Sequence, residues 1–253
     1  MKSRNFSKIF IFLLTLAVLG AGIGSCQSAK RVRGKVVHEI YIAGDSVEKR
    51  PIEYQVLGEG PDVVFIMAAI HGNEQAGIKL CLRLADYLTA NPKLLQGRKV
   101  VLLPSANPDG VARNQRYNAH GVDLNRNFQA SYRENNERYG QAGLSEPETQ
   151  IIAQIIEDYN PRRIITLHEP LNCIDYDGPY QELAEYLAQY TDIPVRKLGT
   201  SPGSLGAYAG VDLNIPLITI EFPRGSSGID ANTLWQHYGR LMQATIVYPE
   251  RLK

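Results

Sequence analysis

The stretch Asp62-Val63-Val64-Phe65-Ile66-Met67-Ala68-Ala69-Ile70-His71-Gly72-Asn73-Glu74 decides how this 253-residue chain is read. Val63 to Ile70 is an unbroken apolar run, without the polar alternation of a half-solvated strand. Asp62 to Ala69 therefore reads as a strand buried on both faces, as parallel strands are when they lie between two helical layers. His71 and Glu74 follow it, three residues apart. At the end of a buried strand both side chains can turn toward one point, and an imidazole nitrogen with a carboxylate oxygen is a donor pair that zinc accepts. The pattern differs from the helical His-Glu-x-x-His arrangement, where the glutamate is a base. The same residues also suit an ordinary polar loop after a strand. A third ligand, a base and a substrate clamp have to come from elsewhere in the chain.

Upstream, Lys35 to Ile42 alternates like a half-buried strand, and Pro51 to Leu57 is expected to pair with it. Downstream, Glu74 to Leu88 reads as a helix, with Ile78, Cys81, Leu82, Ala85 and Leu88 recurring at helical spacing. Lys99 to Leu103 is a further strand. The polar stretch from Ser105 to Leu144 is long for a loop in a compact domain, and such loops are commonly functional. Ser145-Glu146-Pro147-Glu148 reads as a helix start, with Ser145 as cap and Glu148 three residues on. That helix carries Ile151, Ile152, Ile155 and Ile156 and ends near Asn160-Pro161. Arg163 to Leu167 is a buried strand ending at His168, Gln181 to Tyr190 a helix, Leu217 to Phe222 a strand and Asn232 to Ile246 a closing helix. Strands alternating with helices predict a single α/β domain, its mixed, mostly parallel central sheet flanked by helices. Ligand sites in such sheets gather at the carboxyl edge, where His71, His168 and Glu221 all fall.

His168 would complete a three-ligand set with His71 and Glu74, leaving a fourth position for water, which is the catalytic type of zinc site. Glu221 sits in Thr219-Ile220-Glu221-Phe222-Pro223, and an ionisable group inside an apolar strand is costly to bury unless paired or used. A salt bridge to an arginine would satisfy it; so would service as proton carrier beside activated water. The polar loop adds Arg116 and the segment Val122-Asp123-Leu124-Asn125-Arg126-Asn127-Phe128. Arginines held there can grip a substrate carboxylate or stabilise an oxyanion.

Taken in order, His71-Gly72-Asn73-Glu74, Asn107-Pro108-Asp109-Gly110, Val122 to Phe128, His168 and Thr219-Ile220-Glu221 resemble the motif series of the zinc carboxypeptidase superfamily. Ser145-Glu146-Pro147-Glu148-Thr149, His168 to Asp175 and Pro202-Gly203-Ser204-Leu205-Gly206 are most similar to its murein peptide amidase branch. That resemblance implies one zinc ion held by His71, Glu74 and His168, with Glu221 as general base and acid. It implies Arg116 at the oxyanion, and Asn125 and Arg126 on the free carboxylate beside the scissile amide. The implied substrate is a murein-derived peptide cut at γ-D-glutamyl–meso-diaminopimelate. Asp175 is expected to meet the diaminopimelate amine by charge complementarity. His120 has no matching role and is expected at the surface, Glu169 would point away if its strand extends through it, and Tyr208 is a candidate for a mobile tyrosine over the substrate. The alternatives are a C-terminal metallocarboxypeptidase on other peptides, or a deacylase like succinylglutamate desuccinylase and aspartoacylase.

The chain opens with Lys2, Arg4 and Lys8, followed by an apolar run to Gly24. A basic start before a short apolar stretch reads as a secretory signal, here residues 1–25. Ile23-Gly24-Ser25-Cys26 resembles the bacterial lipoprotein box, which would make Cys26 the lipidated first residue of the mature chain. Residues 26–34 form a polar tether and 35–253 the enzyme domain. Gln27 after Cys26 favours the outer membrane, facing the periplasm, in a two-membrane cell. Without residues 1–25 the chain has 24 basic against 26 acidic side chains, a net of −2. That balance gives no electrostatic reason to expect nucleic-acid binding. The remaining cysteines, Cys81 and Cys173, could pair in an exported protein or stay as buried thiols. Oligomeric state is not encoded in any of these features.

Overall fold

A computed structural model of the chain describes residues 37–252. The signal segment, Cys26 and the tether lie outside the described residues. Seven strands form one sheet: β1 (His38–Asp45), β2 (Pro51–Leu57), β3 (Glu59–Ala68), β4 (Gln96–Leu103), β5 (Arg163–His168), β6 (Leu171–Asp177) and β7 (Leu217–Pro223). Their spatial order is β1-β2-β4-β3-β5-β7-β6. The central four, β4-β3-β5-β7, are parallel. The outer pairings, β1–β2, β2–β4 and β6–β7, are antiparallel. Five α-helices accompany the sheet: α1 (Ala76–Ala90), α2 (Pro108–Arg113), α3 (Pro147–Tyr159), α4 (Gln181–Ala188) and α5 (Ala231–Val247). The predicted single α/β domain with helix-flanked sheet is what is found.

The period of two along each strand explains the two apolar layers. In β3, Val64, Ile66 and Ala68 join α1, α4 and α5, while Val63, Phe65 and Met67 join α3 on the other face. Both faces are covered, which is why this strand has no polar alternation. In β5, β7 and β6 the parity is unequal. Ile165, Leu167, Ile218, Ile220, Ile174 and Tyr176 face the α1 layer. The opposite face carries Thr166, His168, Thr219, Glu221, Cys173, Asp175 and Asp177, because register pairs His168 with Glu221, Glu221 with Cys173, and Thr219 with Asp175. One half of the sheet thus presents a polar trough on the α3 side.

β6 was not anticipated. Its two aspartates and Asn172, which has φ of 51°, are poor strand formers, and pairing with β7 overrides that tendency. Ser145 does not cap α3. Its hydroxyl donates to Glu146 Oε1, and Glu146 occupies the cap position without a side-chain cap bond. Asn127, from the polar loop, instead accepts from the Glu146 N–H and the Thr149 hydroxyl. Cys81 and Cys173 are buried free thiols. Among the described residues no helix is long and apolar enough to cross a membrane.

Candidate metal centre

α1 begins at Ala76 rather than at Glu74. Glu74 therefore lies in the turn that follows β3, its N–H bonded to the His71 carbonyl. The turn is built by close backbone approach: a Cβ on Gly72 would lie 2.0 Å from the Gly110 carbonyl carbon. The His-Gly-Asn-Glu and Asn-Pro-Asp-Gly segments are thus two sides of one contact. Buried Asn107 stitches them, donating to the Ile70 carbonyl and accepting from Gly110 N–H. Ala69 takes a left-handed φ of 51°, local strain of the kind that collects at functional sites.

The Glu74 carboxylate stands between the two histidines. His71 Nδ1 lies 2.8 Å from its Oε1, and His168 Nδ1 lies 2.8 Å from its Oε2. The three ligand atoms lie within 4.8 Å of one another, and all three residues are buried. Burial alone would raise the Glu74 carboxyl, but the hydrogen bonds from His168 and His71 outweigh it and hold it well below the usual range. Two imidazole nitrogens and one carboxylate converging on a point form a donor set suited to zinc. An outer partner strengthens the fit: Asp123 Oδ1 lies 3.3 Å from His71 Nε2, the nitrogen turned away from Glu74. A carboxylate there fixes the ring orientation of a ligating histidine.

Glu221 stands beside His168 across the β5–β7 pairing and is buried. Burial pushes its carboxyl up, with His168 and the Leu171 N–H opposing. No arginine or lysine pairs with it among the described residues, so the salt-bridge explanation finds no partner. Arg116 reaches over the cluster, its Nη2 2.9 Å from Asp123 and its Nη1 3.5 Å from Glu74. Asn125 and Arg126 lie in a short turn, Leu124–Arg126, capped by Asp123. Asn125 Oδ1 accepts from the Leu205 N–H, which ties this turn to the Pro202–Gly206 segment. Asn125 and Arg126 are both partly exposed.

Asp175 lies two residues along β6 from the position opposite Glu221, on the same face, and accepts from the Leu198 N–H. Asp177 follows on that face, its carboxylate set against Gly206, where a Cβ would meet it at 2.0 Å. Burial, reinforced by neighbouring Asp175 and opposed by Lys197, pushes Asp177 up to about 6. Neither Asp123 nor Asp177 was singled out from sequence. Asp123 carried one usable signal, its place in Val122-Asp123-Leu124-Asn125-Arg126; Asp177 carried none, since its setting depends on β6.

The other expectations divide. His120 is exposed, with its side chain 57% accessible and Nδ1 2.7 Å from Glu146. Glu169 lies beyond the end of β5, its carboxylate directed to the start of α1. Tyr208 stacks on Phe128, ring centroids 5.8 Å apart, packed against the α3-side core. In this conformation its ring rests on that core.

Residues 29–201 match the zinc carboxypeptidase family model. Murein peptide amidase A of Escherichia coli (strain K12) is 39% identical over 180 residues, covering 64% of this chain and 72% of the relative. The crystal structure of a murein-tripeptide amidase from Escherichia coli O157 superposes with a TM-score of 0.68 at 26% identity, covering 89% of this chain and 98% of that one. Carboxypeptidase A of Helicoverpa armigera shares the fold with a TM-score of 0.70 at 20% identity, over 85% of this chain and 70% of that one.

Proposed function

The chain belongs to the zinc carboxypeptidase family, and on that premise we propose that it is a zinc-dependent hydrolase that cuts γ-D-glutamyl–meso-diaminopimelate in murein peptides. The observation that carries this is the convergence of His71, Glu74 and His168 at the carboxyl edge, with Glu221 on the neighbouring strand and two acids behind it. His71, Glu74 and His168 would hold one zinc ion. When bound, zinc polarises water and the scissile carbonyl. Glu221, whose raised proton affinity suits a proton carrier, takes a proton from the attacking water and delivers it to the leaving amine. Arg116 donates to the carbonyl oxygen as negative charge develops there. Asn125 and Arg126 hold the free carboxylate next to the scissile bond, with Arg126 supplying the charged donors.

The substrate reading draws support from Asp175 and Asp177. Diaminopimelate ends in an amine and a carboxylate together, and this trough offers acids on β6 and an arginine on the opposite loop. The relatives named as murein amidases act as support of the same kind. We further propose that Cys26 is acylated and anchors the enzyme at the outer membrane, facing the periplasm, because small residues precede it in Ile23-Gly24-Ser25-Cys26. Lipidation predicts an acyl mass on Cys26 and release of a Cys26→Ser variant from membranes; a variant that stays membrane-bound without that mass removes the anchor from the account.

The deciding experiment is a digest of purified muropeptides by the zinc-loaded enzyme, resolved by mass spectrometry. Release of diaminopimelate-containing peptide from γ-glutamate supports the assignment, and amidation of the adjoining carboxylate is expected to slow it. Release of ordinary C-terminal residues, or hydrolysis of N-succinyl-glutamate in its place, overturns it.

A further inference from the structure

The first turn of α1 lacks the features that normally complete a helix start. Gln75, at the cap, makes no side-chain cap bond, and no acid stands in the first turn. Unbonded N–H groups at such a start need acceptors, and a negative charge there is favoured by the helix dipole. The acceptors come from two distant places. Glu169 Oε1 accepts from Ala76 N–H at 3.2 Å, and the Ser227 hydroxyl accepts from Gln75 N–H at 2.6 Å. The two acceptors are themselves joined. The Ser227 hydroxyl donates to Glu169 Oε1 at 2.5 Å, and Ser227 N–H donates to Oε2 at 3.0 Å. Lys79, on α1, fixes the Ser227 loop from the other side by donating to the Ser227 and Ile229 carbonyls.

Glu169 is also the residue after His168, and its own N–H donates to Glu74 Oε2 at 3.2 Å. One residue therefore contacts both halves of the ligand set. Its main chain continues from His168 and touches Glu74, and its carboxylate holds the helix that begins two residues after Glu74. The ligands lie 94 residues apart in sequence, on different elements. The β3–β5 ladder sets the strand spacing, but the ladder ends at Ala68 and Leu167, short of every ligand.

We propose that Glu169 is a positioning residue that sets the distance between the His71–Glu74 turn and His168, so that the donor atoms meet at one point. This rests on the metal reading above. Zinc affinity by chelator competition, with the melting temperature of zinc-free protein measured in parallel, separates positioning from helix capping alone. Glu169→Ala is expected to weaken zinc binding about 10–100-fold, the usual consequence of losing an outer partner of a metal site. Glu169→Gln keeps the volume and one acceptor and is expected to fall between Glu169→Ala and wild type. Lowered melting with wild-type zinc affinity, in either variant, overturns the proposal and leaves Glu169 as a helix cap. If Glu169→Ala does not fold, Glu169→Gln decides alone: affinity within about twofold of wild type overturns it. Failure of the wild-type protein to bind zinc would instead overturn the metal reading itself.

Discussion

The two edges of the parallel sheet both carry buried charge, and they treat it in opposite ways. At the amino edge, Asp62 of β3 accepts from Arg163 Nη1 at 2.8 Å and Nη2 at 3.2 Å, and Arg98 of β4 pairs with Glu250 at 2.6 Å. Arg163 also donates to the Thr245 and Ile246 carbonyls, which fastens the end of α5. Asp62 and Glu250 there each have an arginine partner, and Asp62 and Arg163 line a depression with Arg162, Leu183, Pro216, Tyr248 and Pro249. At the carboxyl edge, the acids meet histidines and the partly exposed Arg116 rather than buried arginines. Glu74 is shared by two imidazoles, and Glu221 has no arginine or lysine; further along the same face, level with the start of β7, Asp177 lies beside Asp175. Charge that is neutralised within the fold locks elements together; charge left incompletely paired in a buried trough is available to a metal ion and to a substrate.

Substitutions at the two edges should therefore fail differently. Glu221→Gln is expected to lower kcat/KM by about 10²–10⁴-fold, the contribution typical of a proton carrier. Zinc content and melting temperature should stay at wild-type values; turnover that survives would place the base elsewhere. At the other edge, Arg163→Ala leaves Asp62 with only the Arg98 contact and the two α5 carbonyls without their donor. It should destabilise the fold by about 3 kcal/mol, measured by denaturant unfolding, while zinc affinity and kcat/KM of the folded fraction are unchanged. A loss of zinc in that variant would mean that the two edges are coupled, and the contrast drawn above would fall. The smallest effect concerns recognition. Asp177 is ionised only above about 6, and an amine is attracted to the carboxylate rather than the acid. KM for the diaminopimelate substrate should therefore rise as pH falls through that value, and Asp177→Asn should flatten the rise. An analogue without the side-chain amine should show no such dependence in either protein.

Much of this arrangement was legible along the chain because burial on two faces leaves an unmistakable pattern. β3, β5 and β7 announce themselves as apolar runs, and His168 and Glu221 stand out because polar groups at the ends of such runs are costly unless used. Where the pattern weakened, the reading lost detail. Glu74 was placed inside a helix, and only the start of α1 at Ala76 frees it to face the histidines. Ser145 offered a capping pattern that Asn127 supplies from a distance. The contact of Tyr208 with Phe128 could not be read from the chain, since 80 residues separate them.

By itself the sequence determined the fold class and put His71, His168 and Glu221 at the ends of buried strands, because these depend on local periodicity; it was the resemblance of the ordered motifs to zinc carboxypeptidases that made His71, Glu74 and His168 a candidate ligand set and Glu221 a candidate base. The tertiary structure alone decided what surrounds them. Asp123 behind His71, Glu169 at the start of α1, and Asp175 with Asp177 in the trough are brought there by pairing and packing between residues far apart in sequence. No local pattern encodes those distances, since a strand's register, and with it the face each side chain takes, is fixed only when its neighbour is in place.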